Sequence, residues 1–427
     1  MNNFDERDRL SRELRARSEA MGGHPIGMDQ VRRTARRIVW RRRIATGAVA
    51  AAVLAVAVPA GMAATGGVDR GIGPVGHPTR SVTHTAPSPT PSPSPSPTPS
   101  PTPAPTPTWP AGAIPLTTAG LAQGAAPTIV YLQGATLHNG DVSEQLPAAY
   151  SEIAPNQGGW VALSKHNGEY SLVQLDTTNH VIGTPAPSAP GIAVDLANRT
   201  AWFEAGAPGQ PGRLVQSIGM AQGQDSLTVP PDVTAHPVGY VRNGLVFATD
   251  GVHPQVAITD FAPGTAEVWL KGAIAAGGAS EAADLISVQL QSAGTGSCWA
   301  VVDPGWTDMD PAGHERWHTC DYALGQFSPD GKYVVGTDAY GDGLGPSWVA
   351  ILDARTGHEV ARFQRPPGSD LFIGQLAWED ESHLLASVHE NGSWQIVRME
   401  TSGHLEAASP AVPGDETTSP FAFSARP

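Results

Sequence analysis

Cysteine and charged residues are both scarce in this chain. Of its 427 residues only 2 are cysteine and 15% are charged, whereas 40 are proline and 48 are glycine. Globular domains average about 25% charged residues and about 5% proline, so part of the chain is not globular. The sequence also lacks a Gly-x-Ser-x-Gly elbow and a Walker loop, and therefore offers no motif for a serine hydrolase or a P-loop enzyme.

Basic residues are few outside the first 43 positions. This segment holds 12 of the 26 basic residues and 6 of the 40 acidic residues, which leaves 14 basic and 34 acidic residues for the remainder. The two parts therefore carry net charges of about +6 and −20. The acidic remainder has no basic patch, which argues against a nucleic acid partner.

Residues 44–64 contain no charged side chain. At about 1.5 Å per residue, a helix of this length matches a hydrocarbon core of about 30 Å. Seven Arg lie between positions 32 and 43, and only Arg70 and Arg80 follow within 20 residues. The positive-inside rule then predicts a single-pass cell-membrane protein with a cytoplasmic N-terminus and an extracytoplasmic C-terminal domain. The alternative is a cleaved signal peptide, although such peptides do not carry a 43-residue charged region before the apolar stretch.

The Arg-rich tail, residues 1–43, has two interpretations. It is a solvated segment that sets topology and contacts anionic lipid, or it is a docking segment for a cytoplasmic partner such as a sigma factor. Membrane-bound zinc anti-sigma factors carry His and Cys-x-x-Cys in this region, whereas this tail has no cysteine. Any such relationship is one of architecture alone.

Residues 65–110 are predicted to be an extracytoplasmic linker. From position 86 to 110 proline alternates with Ser, Thr or Ala. Proline fixes φ and removes the amide donor, so the segment is expected to form a polyproline II rod of about 3.1 Å per residue, or roughly 75 Å. In composition, the tail, apolar span and linker together resemble actinobacterial envelope proteins.

Residues 111–427 show an internal repeat. The segment 167–176 matches 391–400 without a gap, and 348–353 is a third copy. Each copy leads to a turn histidine, at positions 180, 358 and 404, and these spacings fit a period of about 45 residues. That period is the size of a four-stranded propeller blade. The domain is therefore predicted to be all-β, a β-propeller of about seven four-stranded blades.

One repeat carries a family resemblance. The segment 327–335 reads Phe-Ser-Pro-Asp-Gly-Lys-Tyr-Val-Val, and its turn residues are Ser328, Pro329, Asp330 and Gly331. It resembles the repeat signature of TolB-like and related WD40-like propellers, and residues 376–385 are similar to the same element one blade later. The resemblance implies a propeller that binds a protein or another ligand. It transfers no catalytic residue.

The two cysteines, Cys298 and Cys320, flank a predicted hairpin. In an oxidising compartment they are expected to form a disulfide, worth about 3 kcal/mol on the chain-entropy estimate. Two free core thiols are the alternative, which would fit an inverted topology.

The segment 314–318 reads HExxH, the zincin pattern, with His314 and His318 as weak candidate metal ligands. In zincins a helix places the two His one turn apart on zinc. Here the segment lies within a β-repeat, which favours an exposed hairpin strand. Two pairs of acids are candidate calcium ligands, but a calcium loop needs more oxygen ligands than they supply, which favours solvated turn carboxylates. The pairs are Asp338 with Asp342 and Asp308 with Asp310.

These features predict a membrane-anchored extracytoplasmic propeller that binds or senses a protein, peptide or glycan at the cell envelope. No cofactor and no catalytic residue is predicted, and residues 44–64 provide the membrane contact. One alternative is a propeller-based hydrolase, which would need acids or His clustered at the mouth of the central channel. Another is a transmembrane regulator that signals through the tail.

Overall fold

A computed structural model describes residues 112–426, apart from 157, 218–223, 243, 263–266, 291–296, 306, 308–313 and 340–344. The predicted tail, membrane span and linker lie outside the described residues, so they stay predictions. All regular elements of the described part are β-strands. That part contains no helix with the length and hydropathy needed to span a membrane.

The described strands are numbered in chain order. The first twelve are β1 (Ile114–Pro115), β2 (Tyr131–Gln133), β3 (Thr136–Asn139), β4 (Val142–Gln145), β5 (Glu152–Asn156), β6 (Gly159–His166), β7 (Glu169–Asp176), β8 (Val181–Ser188), β9 (Ala193–Val194), β10 (Thr200–Glu204), β11 (Gly212–Ser217) and β12 (Gln224–Val229). The next eight are β13 (Thr234–Val241), β14 (Gly244–Asp250), β15 (Gln255–Thr259), β16 (Val268–Trp269), β17 (Ala273–Ser280), β18 (Leu285–Leu290), β19 (Cys298–Val302) and β20 (Glu315–Thr319). The last ten are β21 (Tyr322–Phe327), β22 (Tyr333–Asp338), β23 (Trp348–Asp353), β24 (Glu359–Gln364), β25 (Phe372–Trp378), β26 (His383–Glu390), β27 (Ser393–Glu400), β28 (Leu405–Ala407), β29 (Val412–Pro413) and β30 (Phe421–Phe423).

Five sheets of four or five strands have the size of a propeller blade. They are β13–β16, β17–β20, β21–β24 with β1 added at the β24 edge, β25–β28 with β29 on β27, and β2–β4 with β30. The strands β5–β12 instead form one eight-stranded sheet. The described strands therefore do not form seven separate four-stranded sheets, because a pair between Ser188 and Glu204 joins β8 to β10.

The sheets form a closed ring. We call four strands that follow one another in a sheet a run, and in the run of β30, β2, β3 and β4 the first strand is β30. The first strand of each run contacts the first strand of the next run. These contacts join β30 to β5, β5 to β9, β9 to β13, β13 to β17, β17 to β21, β21 to β25, and β25 back to β30. A ring of antiparallel meanders closed in this way is a β-propeller, which confirms the predicted all-β propeller fold.

Burial on both faces explains the short apolar runs in the sequence. Val246 and Val256 of one sheet pack in a single cluster with Ile286 and Val288 of the next. All four side chains are at most 7% exposed, as is the whole of that cluster. Burying such a side chain contributes about 1.5–3 kcal/mol to the free energy of unfolding. The contacts between neighbouring sheets therefore hold the ring together.

The repeat seen in the sequence occupies one structural position. Each turn histidine follows the third strand of its run and accepts a hydrogen bond at its carbonyl from the amide of the preceding acid. The N···O distances are 3.0 Å for Asp176–His180, 2.8 Å for Asp353–His358 and 2.9 Å for Glu400–His404. The same turn is thus built three times.

The disulfide between Cys298 and Cys320 is confirmed. Cys298 begins β19, and the pair of Trp299 with Thr319 places the two cysteines opposite each other across β19 and β20. The bond therefore fixes the outer strand β20 to its neighbour at one end.

Replacing both Cys298 and Cys320 by Ser is expected to lower the free energy of unfolding by about 3 kcal/mol, because the bond closes a loop of 22 residues in the unfolded chain. Urea unfolding of the purified protein measures this. Reductant should shift the wild-type midpoint and leave the double variant unchanged. Equal midpoints for the oxidised wild type and the double variant would contradict the assignment.

Candidate functional site

One end of the propeller gathers polar side chains at the start of the first strands. We call this end the entry face: it contains the connections that lead into β5, β9 and β13, at 146–151, 189–192 and 230–233, and the β6–β7 and β14–β15 hairpins. Antiparallel pairing puts the start of β13 beside the end of β14, since Thr234 pairs with Asp250. The candidate site is built from these segments.

Glu152 is the first residue of β5. Its Oε2 accepts a hydrogen bond of 3.0 Å from the amide of Gly191 in the β8–β9 connection. The residue is partly exposed, although it lies deep in the domain. Burial raises its pKa to about 7, against the opposing effects of the Gly191 amide and of the charges on His236 and Lys165.

His236 lies on β13 and faces an acceptor with each ring nitrogen. Its Nδ1 is 3.1 Å from the carbonyl oxygen of Pro190, and its Nε2 is 2.7 Å from Oδ2 of Asp250. Burial disfavours the charged ring, but Asp250, the Pro190 carbonyl and Glu152 together raise the pKa of His236 above its ordinary value. The hydrogen bond from His236 in turn lowers the pKa of Asp250, whose side chain is 53% exposed.

Lys165 completes the cluster from the end of β6. Its Nζ lies 4.8 Å from the centre of the Tyr170 ring. Burial lowers its pKa, while the charge of Glu152 opposes that change. The cluster thus combines a carboxyl group that titrates near neutral pH with two basic groups. A partly exposed carboxyl group of this kind can bind a polar ligand or transfer a proton.

Gln375 on β25 lies beside the candidate site. The β25 strand has a bulge between Ile373 and Leu376, and Gln375 within it donates from Nε2 to the carbonyl of Ser151 at 3.3 Å while its Oε1 accepts from the amide of Phe423 at 3.1 Å. Gln375 therefore links three sheets next to Glu152.

Close backbone approach makes glycine necessary on β17. A Cβ on Gly277 would lie 1.9 Å from the carbonyl oxygen of Leu324 on β21. Gly277 thus allows the backbones of β17 and β21 to lie in contact.

The HExxH residues lie elsewhere, at the outer edge of the β17–β20 sheet. His314 immediately precedes β20 and its Nδ1 is 2.5 Å from Oδ1 of Asp303, whereas Nδ1 of His318 is 2.6 Å from Oε1 of Glu315. Each His therefore contacts its own carboxylate. On a strand the two rings lack the one-turn helical spacing on which a zincin depends.

The repeat-turn residues join β21 to β22. Oγ of Ser328 donates to Oδ1 of Asp330, which also accepts from the amide of Lys332 at 3.0 Å. Gly331 has φ of +69° and a Cβ there would lie 2.3 Å from that of Ala283. This turn stabilises backbone geometry and lies at the end opposite to the entry face.

Of the calcium candidates, Asp338 is among the described residues. Oδ2 of Asp338 accepts from the amide and the hydroxyl of Ser347 at 2.7 and 2.6 Å, and Asp308, Asp310 and Asp342 lie outside the described residues. Among the residues that are described, no three His, Cys, Asp or Glu side chains are placed to hold a metal ion.

No motif in the sequence predicts the cluster of Glu152, Lys165, His236 and Asp250. They come from separate strands and share no motif, so their proximity depends on how the sheets are arranged. A weak signal was present nearby, because Gly-Gln pairs recur at 325–326 and 374–375, at the bulges of β21 and β25. This repeat marks the channel side of the first strands.

Comparisons with known proteins give resemblance at the level of the fold. No protein-family model and no curated protein matches the chain. The solved structures that match include the Dos1 propeller, at 10% identity over 68% of this chain and 86% of that one with a TM-score of 0.44. They also include cobalt-substituted Synechocystis apocarotenoid oxygenase, at 12% identity over 65% and 73% with a TM-score of 0.42, and Kluyveromyces lactis Hsv2, at 13% over 58% and 72% with a TM-score of 0.39. The TolB-like and WD40-like relationship stays a prediction.

Replacing Glu152 with Gln is expected to remove a pH dependence of stability. The raised pKa means that the folded protein binds this proton more tightly than the unfolded chain, so the stabilisation is complete below about 4.5 and is lost as the pH rises through about 7. At pH 8 the variant should therefore be the more stable protein, by up to about 3 kcal/mol at 1.4 kcal/mol per pKa unit.

Urea unfolding between pH 4.5 and 8 measures this effect, with Glu169→Gln in the exposed β6–β7 hairpin as the control. If Glu152→Gln and wild type follow parallel curves across this range, the raised pKa is wrong.

Proposed function

We propose that this protein is a membrane-anchored extracytoplasmic propeller that binds a protein, peptide or glycan at the cell envelope through its entry face. The observation that carries the proposal is the cluster of Glu152, Lys165, His236 and Asp250 around the 189–192 connection. Ligand sites in proteins combine a concave surface with a few convergent polar groups and perturbed pKa values. The entry face holds such groups at the mouth of a ring-shaped fold.

The disulfide supports an extracytoplasmic location, because such bonds persist in oxidising compartments. Together with the apolar segment 44–64 and the seven Arg before it, the Cys298–Cys320 bond favours the topology with the C-terminal domain outside. Signalling through the tail, which lies outside the described residues, is a further hypothesis.

We also propose that the ring functions as seven blades of TolB-like or WD40-like type. The eight-stranded sheet consists of two successive meanders, β5–β8 and β9–β12, whose ladders meet at the single pair of Ser188 and Glu204. Counting them separately gives seven runs, in agreement with the period of about 45 residues.

A propeller-based hydrolase is the second candidate, and one observation favours it. A general acid or base works best with a pKa near the working pH, and burial raises the pKa of Glu152 to about 7. In that case Glu152 would transfer the proton, and Asp250 would hold His236 in place beside it.

Binding is tested with arrays of cationic, anionic and neutral peptides and of envelope glycans. The wild-type protein is compared with Glu152→Gln and Asp250→Asn, and with Glu381→Gln in the exposed turn at the opposite end. We expect one probe class to bind wild type and the Glu381 variant equally, and the two entry-face variants at least about tenfold more weakly, a change of 1.4 kcal/mol.

Each other outcome is informative. Equal affinity in all four proteins would place binding outside the entry face. If a bound probe is cleaved, and Glu152→Gln slows cleavage by about a hundredfold or more, the hydrolase candidate takes precedence. Protease treatment of intact cells tests location: an extracytoplasmic domain is cleaved while the tail is protected.

A further inference from the structure

The connection 189–192 is held by side chains from two different runs of strands. Glu152 accepts the amide hydrogen of Gly191 at 3.0 Å, and the carbonyl of Pro190 accepts from Nδ1 of His236 at 3.1 Å. Gly191 has φ of +106°, and a Cβ there would lie 2.7 Å from the carbonyl oxygen of Pro237. Two adjacent residues are therefore fixed against β5 on one side and β13 on the other.

The two contacts respond to protonation in different ways. A neutral imidazole has a single N–H, so His236 can donate to Pro190 and to Asp250 together only when it is protonated. The Gly191 amide by itself favours ionised Glu152, but ionised Glu152 is a charge placed deep in the domain, and the effect of burial is the larger one. A proton on His236 therefore favours its contact with Pro190, and a proton on Glu152 favours the buried arrangement around the connection.

Four titratable side chains surround this connection. They are Glu152 on β5, Lys165 on β6, His236 on β13 and Asp250 on β14. The pKa of Asp250 is lowered from a value that is already acidic, so Asp250 stays ionised around neutral pH, whereas the raised pKa values of Glu152 and His236 bear on that range.

We propose that the Pro190–Gly191 connection is a proton-operated latch at the channel mouth, closed when Glu152 and His236 are protonated and released as the pH rises. The latch regulates access to the entry face, and in this consequence alone it rests on the proposed function. Its opening is a property of the free protein and is measured without a ligand.

The direction of the pH dependence follows from the linkage between opening of the latch and release of protons. In the closed state the pKa values of both Glu152 and His236 are raised, so opening returns each toward its ordinary value and releases protons. Release of protons on opening means that rising pH favours the open state. Glu152 contributes between about 4.5 and about 7, and His236 contributes above 6.5.

Hydrogen exchange of the full-length protein tests the latch at pH 5.5, 7 and 8.5, with rates corrected for intrinsic exchange. The protection factor of the Gly191 amide is expected to fall about tenfold or more over this range. The core amide of Val246, whose side chain is fully buried, serves as the internal reference and should stay protected.

Two variants separate the contributions, and Glu381→Gln is the control. Glu152→Gln keeps an acceptor for Gly191 and removes the titration, so it should flatten the acid part of the fall. Asp250→Asn removes the partner that stabilises protonated His236, so it should move the fall to lower pH. A protection factor of Gly191 that is constant from pH 5.5 to 8.5, or one that falls only in parallel with Val246, would overturn the proposal. The proposal would also be overturned if the Gly191 protection factor of both variants followed the wild-type pH profile.

Discussion

Closure of the ring is the constraint on which the rest of the structure depends. Separate meanders bury their faces only if each has a neighbour on both sides, and the last neighbour is supplied by the C-terminal strand β30, which pairs with β2 near the start of the domain. The amide of Ser424 donates to the carbonyl of Val130 at 3.0 Å, and that of Gly134 donates to the carbonyl of Pro420 at 2.7 Å. Chain ends about 290 residues apart thus complete one sheet, and a long loop costs little more to close than a short one.

A buried ion pair reinforces this junction. Arg398 contacts the carboxylate of Glu379, which also accepts the Thr128 amide at 2.6 Å, and Arg426 donates to the Glu379 carbonyl at 2.5 Å. Burial would raise the pKa of Glu379, but Arg398 and the Thr128 amide lower it overall. Segments that precede β2 and follow β30 therefore meet on one charged pair. Loss of Arg398 would leave the buried Glu379 carboxylate without its ion-pair partner, which typically costs about 3–5 kcal/mol, whereas loss of Glu379 would leave Arg398 its contact with Glu406.

The candidate site follows from the ring because no single sheet contains it. Glu152 begins one run of strands, His236 and Asp250 belong to another, and Gly191 lies between them. The distances of about 3 Å that join them exist only while neighbouring runs stay in register around the channel.

The sequence predicted what depends on local pattern. The repeat near 167–176 and 391–400, the turn chemistry and the paired cysteines depend on spacing along the chain, and they led to the propeller fold and the Cys298–Cys320 bond. The single pair of Ser188 with Glu204 that merges two runs could not be predicted, because it joins strands whose ladders meet at one position. Nor could the approach of Glu152 to Gly191 and of Pro190 to His236, since contacts between runs leave no periodic signal. The HExxH match shows the converse, a motif whose local structure lacks the helix that gives it chemical meaning.

The most direct test of ring closure is a proline in β30. The hydrogen bonds of Ser424 and Gly134 make Ala422 and Leu132 the bonded pair between them. Ala422→Pro removes that ladder bond, because proline has no backbone N–H. Hydrogen exchange across the domain then decides: our account predicts that protection falls in the distant β13–β16 sheet as well as in β2–β4. Loss of protection confined to β2–β4 and β30 would contradict it.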